Sequence, residues 1–241
     1  MTTPAQPAAA NAARQAGLEL RDEAISFFAG DAFAATLHRV LHDDSLAATV
    51  RLPLTVDSTA VLSDMQRDAG WEEERWRLDA TGAVDVVTES EFAALPHRER
   101  FSWSDTLRKP DPRAYALRGL LSALRSDDVL RSFSAVHGRR VRYRTADIAR
   151  YRPGHYLRRH DDLYDGRVFG LVFFLHDAWP TSAGTRLVAE KPDGRCAVVE
   201  PLPGTVAVMR LAGEHHHQVE PNRSTNWDRY SLAVHFGQAG D

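Results

Sequence analysis

The chain of 241 residues has one cysteine, no long hydrophobic run and a formal charge of only -3. The single cysteine, Cys196, cannot form an internal disulfide, which favours a reducing compartment. No stretch of about 18 apolar residues is present, so we expect no transmembrane helix. The near balance of acidic and basic side chains supplies no general attraction for nucleic acid or anionic lipid. We therefore expect a cytoplasmic protein that acts on a small molecule, with neither nucleic acid nor a membrane as partner.

Residues 1–16 are rich in alanine and lack a basic start followed by an apolar run, so they predict a disordered lead-in and not a signal peptide. The remaining residues, 17–241, have the size and composition of one globular domain. We expect them to form a single domain with a mainly helical N-terminal or capping part, 17–135, and a second part that begins at residue 136.

Apolar residues at helical spacing predict two short helices within residues 18–46, interrupted at Gly30, and one amphipathic helix over residues 111–133. Between them, two candidate strands lie on either side of a helical, tryptophan-containing stretch. In chain order these three segments are 51–56, 71–76 and 82–87.

From residue 136 onward, short apolar runs alternate with Gly, Pro, Asp and Asn. Such closely spaced short strands predict an antiparallel sandwich or barrel of the jelly-roll kind. The predicted strands are 141–151, 168–175, 185–188, 197–199, 205–211, 217–219 and 229–236. The expected fold is mainly β with flanking helices, and residues 136–241 form its jelly-roll core.

A His-x-Asp pair, His160 and Asp162, ends a polar segment of this core. If the segment is extended, both side chains project to one face whereas Asp161 points to the other. An imidazole and a carboxylate that converge suit a borderline metal such as iron(II), and a third ligand would complete one face of the ion. A His-x-Asp triplet also arises often by chance, so the pair needs support from its context.

Three consecutive histidines, His215, His216 and His217, offer a third ligand, although a solvated loop is the alternative for such a run. The last predicted strand then carries polar or small residues on one face and apolar residues on the other. The polar face consists of Arg229, Ser231, Ala233 and His235. A buried arginine needs an anion, because its guanidinium cannot be neutralised by deprotonation. Its planar fork matches a carboxylate, to which Ser231 could also donate; an internal Asp or Glu is the alternative partner.

These motifs, in this order, resemble the prolyl-4-hydroxylase-like branch of the iron(II)- and 2-oxoglutarate-dependent dioxygenases. The resemblance covers residues 120–237 and consists of Tyr151-x-x-Gly154, His160-x-Asp162, the strand 171–175, Val199-Glu-Pro-Leu-Pro-Gly-Thr-Val206, His217-x-Val219-x-Pro221 and Arg229-x-Ser231. It implies a double-stranded β-helix that forms the catalytic domain, with Fe(II) as the cofactor and 2-oxoglutarate and O2 as co-substrates.

Carried over residue by residue, the resemblance implies that His160, Asp162 and His217 bind iron. It also implies that Arg229 and Ser231 hold the distal carboxylate of 2-oxoglutarate. Of the three histidines, only His217 has the position of the histidine in the family's His-x-Val-x-Pro motif. In a strand, however, His215 would project to the same face as His217.

The chain departs from the family pattern in three places, one of which is a slightly longer stretch between His217 and Arg229, where residues 222–228 are expected to form a loop that holds Trp227. Ala183-Gly184 stands where the family usually has a Gly-Gly pair. Phe173 and Phe174 occupy the strand in which relatives often place an oxoacid-binding tyrosine. Tyr151 and Tyr156 are therefore the candidates for the additional polar contact with the oxoacid.

The retained Asp162 favours hydroxylation, because related halogenases leave this carboxylate position empty so that chloride can bind iron. The leading hypothesis is hydroxylation of an unactivated carbon of a small metabolite, such as an amino acid or a biosynthetic intermediate. His155, Arg158 and Trp227 are the candidate substrate contacts. Two alternatives are a hydroxylase of prolyl or other residues in a protein, and a non-catalytic jelly-roll or cupin-like protein that binds a metal or ligand.

Overall fold

The computed structural model describes residues 6–43, 45–162, 166–211 and 215–239. The helices are α1 (Gln6–Ala29), α2 (Asp31–His42), α3 (Ser58–Arg67), α4 (Glu89–Ala94), α5 (Tyr115–Leu124) and α6 (Asp127–His137). The strands are β1 (Ala47–Arg51), β2 (Trp71–Leu78), β3 (Val84–Val87), β4 (Arg100–Leu107), β5 (Val141–Tyr151), β6 (Tyr156–His160), β7 (Arg167–Phe174), β8 (Leu187–Glu190), β9 (Cys196–Val199), β10 (Thr205–Arg210), β11 (His216–Val219) and β12 (Arg229–Gln238).

Strands β5 to β12 form two antiparallel four-stranded layers, β10-β7-β12-β5 and β6-β11-β8-β9. Strand β4 pairs with both β5 and β6 and so connects the layers, while β1 extends the first layer beside β10. This order is that of a jelly roll, in which the chain passes back and forth between the two layers except at the β8–β9 hairpin. The structure therefore confirms the mainly β fold with a jelly-roll core.

Alternation along β7 and β12 separates two apolar cores. Phe173 and Leu232 lie on the outer face, where the helices pack, and the ring of Phe28 in α1 meets that of Phe173 at 5.8 Å. Phe174 and Ala233 lie on the inner face, between the two layers. Side chains alternate between the two faces of a strand. Because the apolar side chains of β12 pack under the helices, its polar side chains project into the barrel.

The N-terminal helix begins earlier than the sequence predicted. Residues 1–16 were expected to be disordered, but α1 starts at Gln6; residues 1–5 lie outside the described part of the chain. Alanine has the highest helix propensity, and the helix is anchored where Gly17 packs against the backbone of Tyr115 in α5. Propensity and this anchor together explain why the alanine-rich segment is helical.

Residues 17–135 contain more strand than expected. The stretch around Trp71–Trp76 was predicted as helix but forms β2, which pairs with β3 and β4 along its length. Cross-strand pairing has overridden the helical propensity of its Glu and Arg residues. Strand β1 ends at Arg51, so residues 52–56 form a turn and not the predicted strand.

The predicted helix over residues 111–133 is two helices. Helix α5 ends at Leu124, and α6 begins after Ser126, whose hydroxyl accepts a hydrogen bond from the Val129 amide. A serine that caps the backbone in this way favours a new helix start over continuation. By contrast, the interruption predicted at Gly30 is confirmed by the boundary between α1 and α2.

Helices α1 and α5 approach each other closely at Gly119, where an added methyl group would collide with the carbonyl oxygen of Gly17. Alanine in a helix is normally about 1 kcal/mol more favourable than glycine, but overpacking costs about 1–3 kcal/mol. Gly119→Ala is therefore expected to lower the free energy of unfolding in urea. Ser122→Ala, at an exposed position of the same helix, is the control and should not destabilise. Equal stability of Gly119→Ala and wild type would contradict the close approach.

None of the described helices is long and apolar enough to cross a lipid bilayer.

Candidate functional site

The ends of β6 and β11 bring a histidine from each strand together. His160 and His217 are register partners, and their ring centroids lie 4.1 Å apart. Asp162 follows β6, and its carboxylate lies 3.3 Å from Nε2 of His217 and 3.9 Å from Nε2 of His160. One ligand atom from each of the three residues lies within 4.8 Å of the others. In the structure, the His-x-Asp pair and His217 thus form a compact set of two imidazoles and one carboxylate.

The protonation of His160 suits metal binding. Its Nδ1 lies 2.7 Å from the Arg158 carbonyl oxygen, so Nδ1 carries the proton and Nε2 presents a lone pair to the cluster. Burial, followed by the neighbouring His217, lowers the pKa of His160 to about 4, so the ring is neutral at neutral pH. Neutral imidazoles with an ionised carboxylate are the donors that a divalent transition metal requires.

The register of β11 separates the three consecutive histidines. His217 belongs to the cluster, whereas Nδ1 of His216 lies 3.1 Å from Nη2 of Arg159, beside Glu190. His215 precedes the strand and lies outside the cluster. The structure therefore brings together the three residues that the sequence selected; that they bind metal stays a prediction.

Arg229, at the start of β12, is a buried cation with no carboxylate partner among the described residues. Only 1% of the residue is exposed, and its Nη1 donates to the Thr185 carbonyl oxygen at 2.6 Å. Its Nε has no hydrogen-bond partner, and no described Asp or Glu forms an ion pair with it. Burial lowers the pKa of Arg229 to about 10, which still leaves it protonated at neutral pH. An uncompensated buried charge is expensive, so this site fits an external carboxylate.

Aromatic rings and hydroxyl groups surround this guanidinium. Its carbon lies 5.0 Å from the ring centre of Phe174 and 5.3 Å from that of Tyr151. Burial raises the pKa of the Tyr151 hydroxyl, whereas the nearby charge of Arg229 lowers it. Ser231 is 4% exposed and shares the inward face of β12 with Arg229. Arg229 and Ser231 lie on the same face of β12 as His235, whose ring lies beside Asp162.

Comparison with known proteins identifies the domain. Residues 146–237 match the family model of the 2OG-Fe(II) oxygenase superfamily. Over these residues the chain matches a 2OG-Fe(II) oxygenase domain. Such domains are 2-oxoglutarate-dependent dioxygenases that use Fe(II), 2-oxoglutarate and O2, as the resemblance implied. No curated protein sequence matches the chain.

Solved structures share the fold of the oxygenase domain. A Pseudomonas putida prolyl-4-hydroxylase is 23% identical, with 85% of this chain and 100% of that chain covered and a TM-score of 0.58. A Trichoplax adhaerens prolyl hydroxylase in complex with a hypoxia inducible factor peptide fragment is 15% identical, with 86% and 90% covered and a TM-score of 0.62. A Burkholderia pseudomallei oxidoreductase of the 2OG-Fe(II) oxygenase family is 19% identical, with 86% and 89% covered and a TM-score of 0.56.

Other residues predicted from the sequence lie elsewhere in the oxygenase domain. His155 is 1% exposed, stacks on Trp103 at 4.6 Å and has its Nε2 3.6 Å from Glu73, within a network of ion pairs. These contacts give His155 a structural role, and its contact with substrate stays a prediction. The Tyr156 hydroxyl donates to the Arg100 carbonyl oxygen at 3.3 Å, so it is engaged away from Arg229.

Trp227 lies at the Arg229 end of the domain. It packs edge-on against His176 at 5.1 Å, and its carbonyl oxygen accepts hydrogen bonds from the side chains of Asn222 and Ser224. The loop expected around Trp227 is present, held by the buried Asn222, which also donates to the Tyr151 carbonyl oxygen. Trp227 lies two residues before Arg229 in the chain, and its contact with substrate stays a prediction.

Sequence reasoning missed several residues of the site. Phe101 of β4 meets the ring of His160 edge-on at 5.6 Å, and His97 lies 2.7 Å from Nη2 of Arg158. Thr185, whose carbonyl oxygen binds Arg229, is the only described non-glycine residue with a positive φ, 56°. It follows the altered Gly-Gly position, so that departure from the family pattern could have drawn attention to it. Nothing in the sequence pairs residues 97–101 with residues 158–160.

His176 gives the oxygenase domain a pH-dependent stability. It is 6% exposed and its Nε2 donates to the Pro201 carbonyl oxygen at 2.6 Å; burial lowers its pKa to about 4. Between about pH 6.5 and pH 4 the unfolded chain binds a proton at this histidine that the folded chain does not, so stability falls as pH falls. His176→Phe should therefore lose less stability than wild type between pH 7 and pH 4.5, by up to about 3 kcal/mol. Parallel losses in urea unfolding would contradict this burial.

Proposed function

We propose that this protein is an Fe(II)- and 2-oxoglutarate-dependent hydroxylase in which His160, Asp162 and His217 hold iron. Arg229 and Ser231 hold the distal carboxylate of 2-oxoglutarate, and Tyr151 supplies the additional polar contact. The observation that carries the proposal is the pairing of a three-residue donor set with a buried, unneutralised arginine inside one barrel. Either feature alone has a structural explanation, but together they match the two ends of a chelating dicarboxylate.

Iron bound with 2-oxoglutarate would activate O2 and oxidise a C–H bond of the substrate. The protein contributes orientation and a dry site. His160 is held in one tautomer by the Arg158 carbonyl oxygen, and Arg229 is fixed by the Thr185 carbonyl oxygen. Asp162 keeps the carboxylate ligand that halogenases lack, so we propose that the product is hydroxylated and that halide does not bind.

Arg158 favours a small substrate that carries an anionic group, such as an amino acid. Its Nη2 lies 2.7 Å from Nδ1 of His97, and no Asp or Glu in the described ranges forms an ion pair with it. The adjacent Arg159 is different, because its Nε lies 3.0 Å from Glu190. An arginine whose neighbour is an imidazole, and not a carboxylate, keeps its charge available for a carboxylate ligand. We therefore propose that Arg158 binds the anionic group of the substrate beside His160.

A prolyl or other residue in a protein is the second candidate substrate. Two of the structures that share the fold are described as prolyl hydroxylases, one of them in complex with a peptide fragment. A peptide substrate would lie across the site with its backbone amides bound and would not require a free carboxylate near Arg158.

Two measurements distinguish the substrate classes. Succinate formation from 2-oxoglutarate is compared in the presence of free amino acids and of proline-containing peptides with blocked ends. Mass spectrometry of the same reactions detects the oxygen added to the substrate. We expect turnover with a free carboxylate substrate, and a rise in KM of about tenfold or more in Arg158→Gln but not in Arg159→Gln. Turnover restricted to blocked peptides would favour the second candidate. Absence of 2-oxoglutarate binding would refute the oxygenase proposal.

A further inference from the structure

Two buried side chains outside the three-residue donor set contact the carboxylate of Asp162. His235 of β12 places its Nε2 3.1 Å from Oδ2, and Arg167 of β7 places its Nη1 3.2 Å from Oδ1. Each of the two residues is 5% exposed. Both oxygens of Asp162 are therefore in contact with positively charged or proton-donating groups.

The two contacting residues are themselves held together by Thr145 of β5. The Thr145 hydroxyl accepts from Nη2 of Arg167 at 3.0 Å and lies 3.2 Å from Nδ1 of His235. Asp147 places a carboxylate oxygen 3.3 Å from the same Nδ1. Asp162, Arg167, Thr145 and His235 thus form a closed ring of contacts.

This ring is built on the rigid part of the fold. His235 is the register partner of Thr145 on β5 and of Gly170 on β7, so it lies in a strand that is paired on both sides. A Cβ at Gly170 would lie 3.4 Å from Cδ2 of His235, so the absence of a side chain there leaves room for the imidazole. A site supported by packed strands holds its groups more accurately than one supported by loops.

We propose that His235 is a positioning residue that, together with Arg167, fixes the orientation of the Asp162 carboxylate for the metal. The proposal rests on the metal ligands of the proposed function. The terminal torsion of an aspartate is broad, so an unsupported carboxylate would lose orientational freedom when it binds a metal. Contacts to both of its oxygens restrict that torsion in advance, and partners of this kind typically change metal affinity by about 10–100-fold.

The proposal requires that His235 donates a hydrogen bond to Asp162 and does not only fill space beside it. Phenylalanine fills much of the space of the imidazole but cannot donate to Asp162. Glutamine has a side-chain amide whose N–H groups can replace the donor at Nε2. If orientation by hydrogen bonding is the function of His235, glutamine should restore what phenylalanine removes.

The test is a titration of the metal-free protein with Co(II), followed by its visible ligand-field absorption, for wild type, His235→Phe and His235→Gln. His235→Phe should bind Co(II) about 10–100-fold more weakly with shifted bands, and His235→Gln should recover most of the affinity. Thr145→Val removes the hydroxyl that holds both contacting residues and should weaken binding by several-fold; it serves if the phenylalanine variant does not fold. The unfolding temperature of each metal-free variant reports folding separately.

Unchanged Co(II) affinity and bands in folded His235→Phe would overturn the positioning role while leaving the donor set intact. Equal losses in the phenylalanine and glutamine variants would also overturn it, because a requirement for the imidazole itself would make His235 a ligand. Failure of wild type to bind Co(II) would refute both this inference and the proposed metal ligands.

Discussion

Arg229→Met is expected to weaken 2-oxoglutarate binding by about 30- to 5,000-fold, because removing one side of a buried charge pair costs about 2–5 kcal/mol. The guanidinium is buried, retains its charge and has no carboxylate partner among the residues described. A distal carboxylate of the oxoacid would supply that partner. Calorimetric titration of the Mn(II)-loaded protein with 2-oxoglutarate measures the change without turnover.

The same substitution should stabilise the protein when 2-oxoglutarate is absent. Replacing even a paired buried charge by a hydrophobic residue is often neutral or stabilising by about 1–4 kcal/mol, and Arg229 has no carboxylate partner in the described part of the chain. Arg186→Met is the matched control, because Arg186 follows Thr185 in the chain but forms a surface ion pair with Glu220 at 2.7 Å. Unaltered oxoacid affinity in Arg229→Met would refute the anchor role and leave the metal proposal standing.

Substitution of the three consecutive histidines is expected to separate one ligand from two neighbours. His217→Ala should reduce Co(II) affinity by more than about 100-fold, since loss of a ligand should exceed the 10–100-fold effect of an outer contact. His216→Ala removes a partner of Arg159 and His215→Ala a residue before the strand, so both should retain wild-type affinity to within a few-fold. Parallel Co(II) titrations of the three variants measure the difference.

These three variants control for one another, because each removes one imidazole from the same short segment. A loss of affinity in His215→Ala with none in His217→Ala would show that His215 is the ligand. The register of β11 would then differ by two residues from the one in the structure. Equal and small losses in all three would contradict a histidine ligand from this strand.

Much of the site follows from strand periodicity. The period of two in residues 229–236 identified the inward face that holds Arg229 and Ser231, and the structure has that alternation. The same period selected His160 and Asp162 and excluded Asp161. These features are local, so the sequence contains the information that determines them.

Contacts between strands distant in sequence could not be predicted in this way. Nothing local indicates that Phe101 meets His160, or that the Tyr156 hydroxyl donates to the Arg100 carbonyl oxygen. His235 was placed on the inward face, but its contact with Asp162 depends on how β12 lies beside β5 and β7. Strand β2 was predicted as helix because its pairing with β4, and not its own composition, determines its conformation.

The most direct test of the account is the anaerobic addition of 2-oxoglutarate to the Fe(II)-loaded protein, followed by visible absorption. Chelation of the metal by the oxoacid is expected to produce a charge-transfer band with wild type. The band should be absent in the double variant Asp162→Ala/His217→Ala, which removes two of the three proposed ligands. No band with wild type, or an unchanged band in the double variant, would contradict the proposed site.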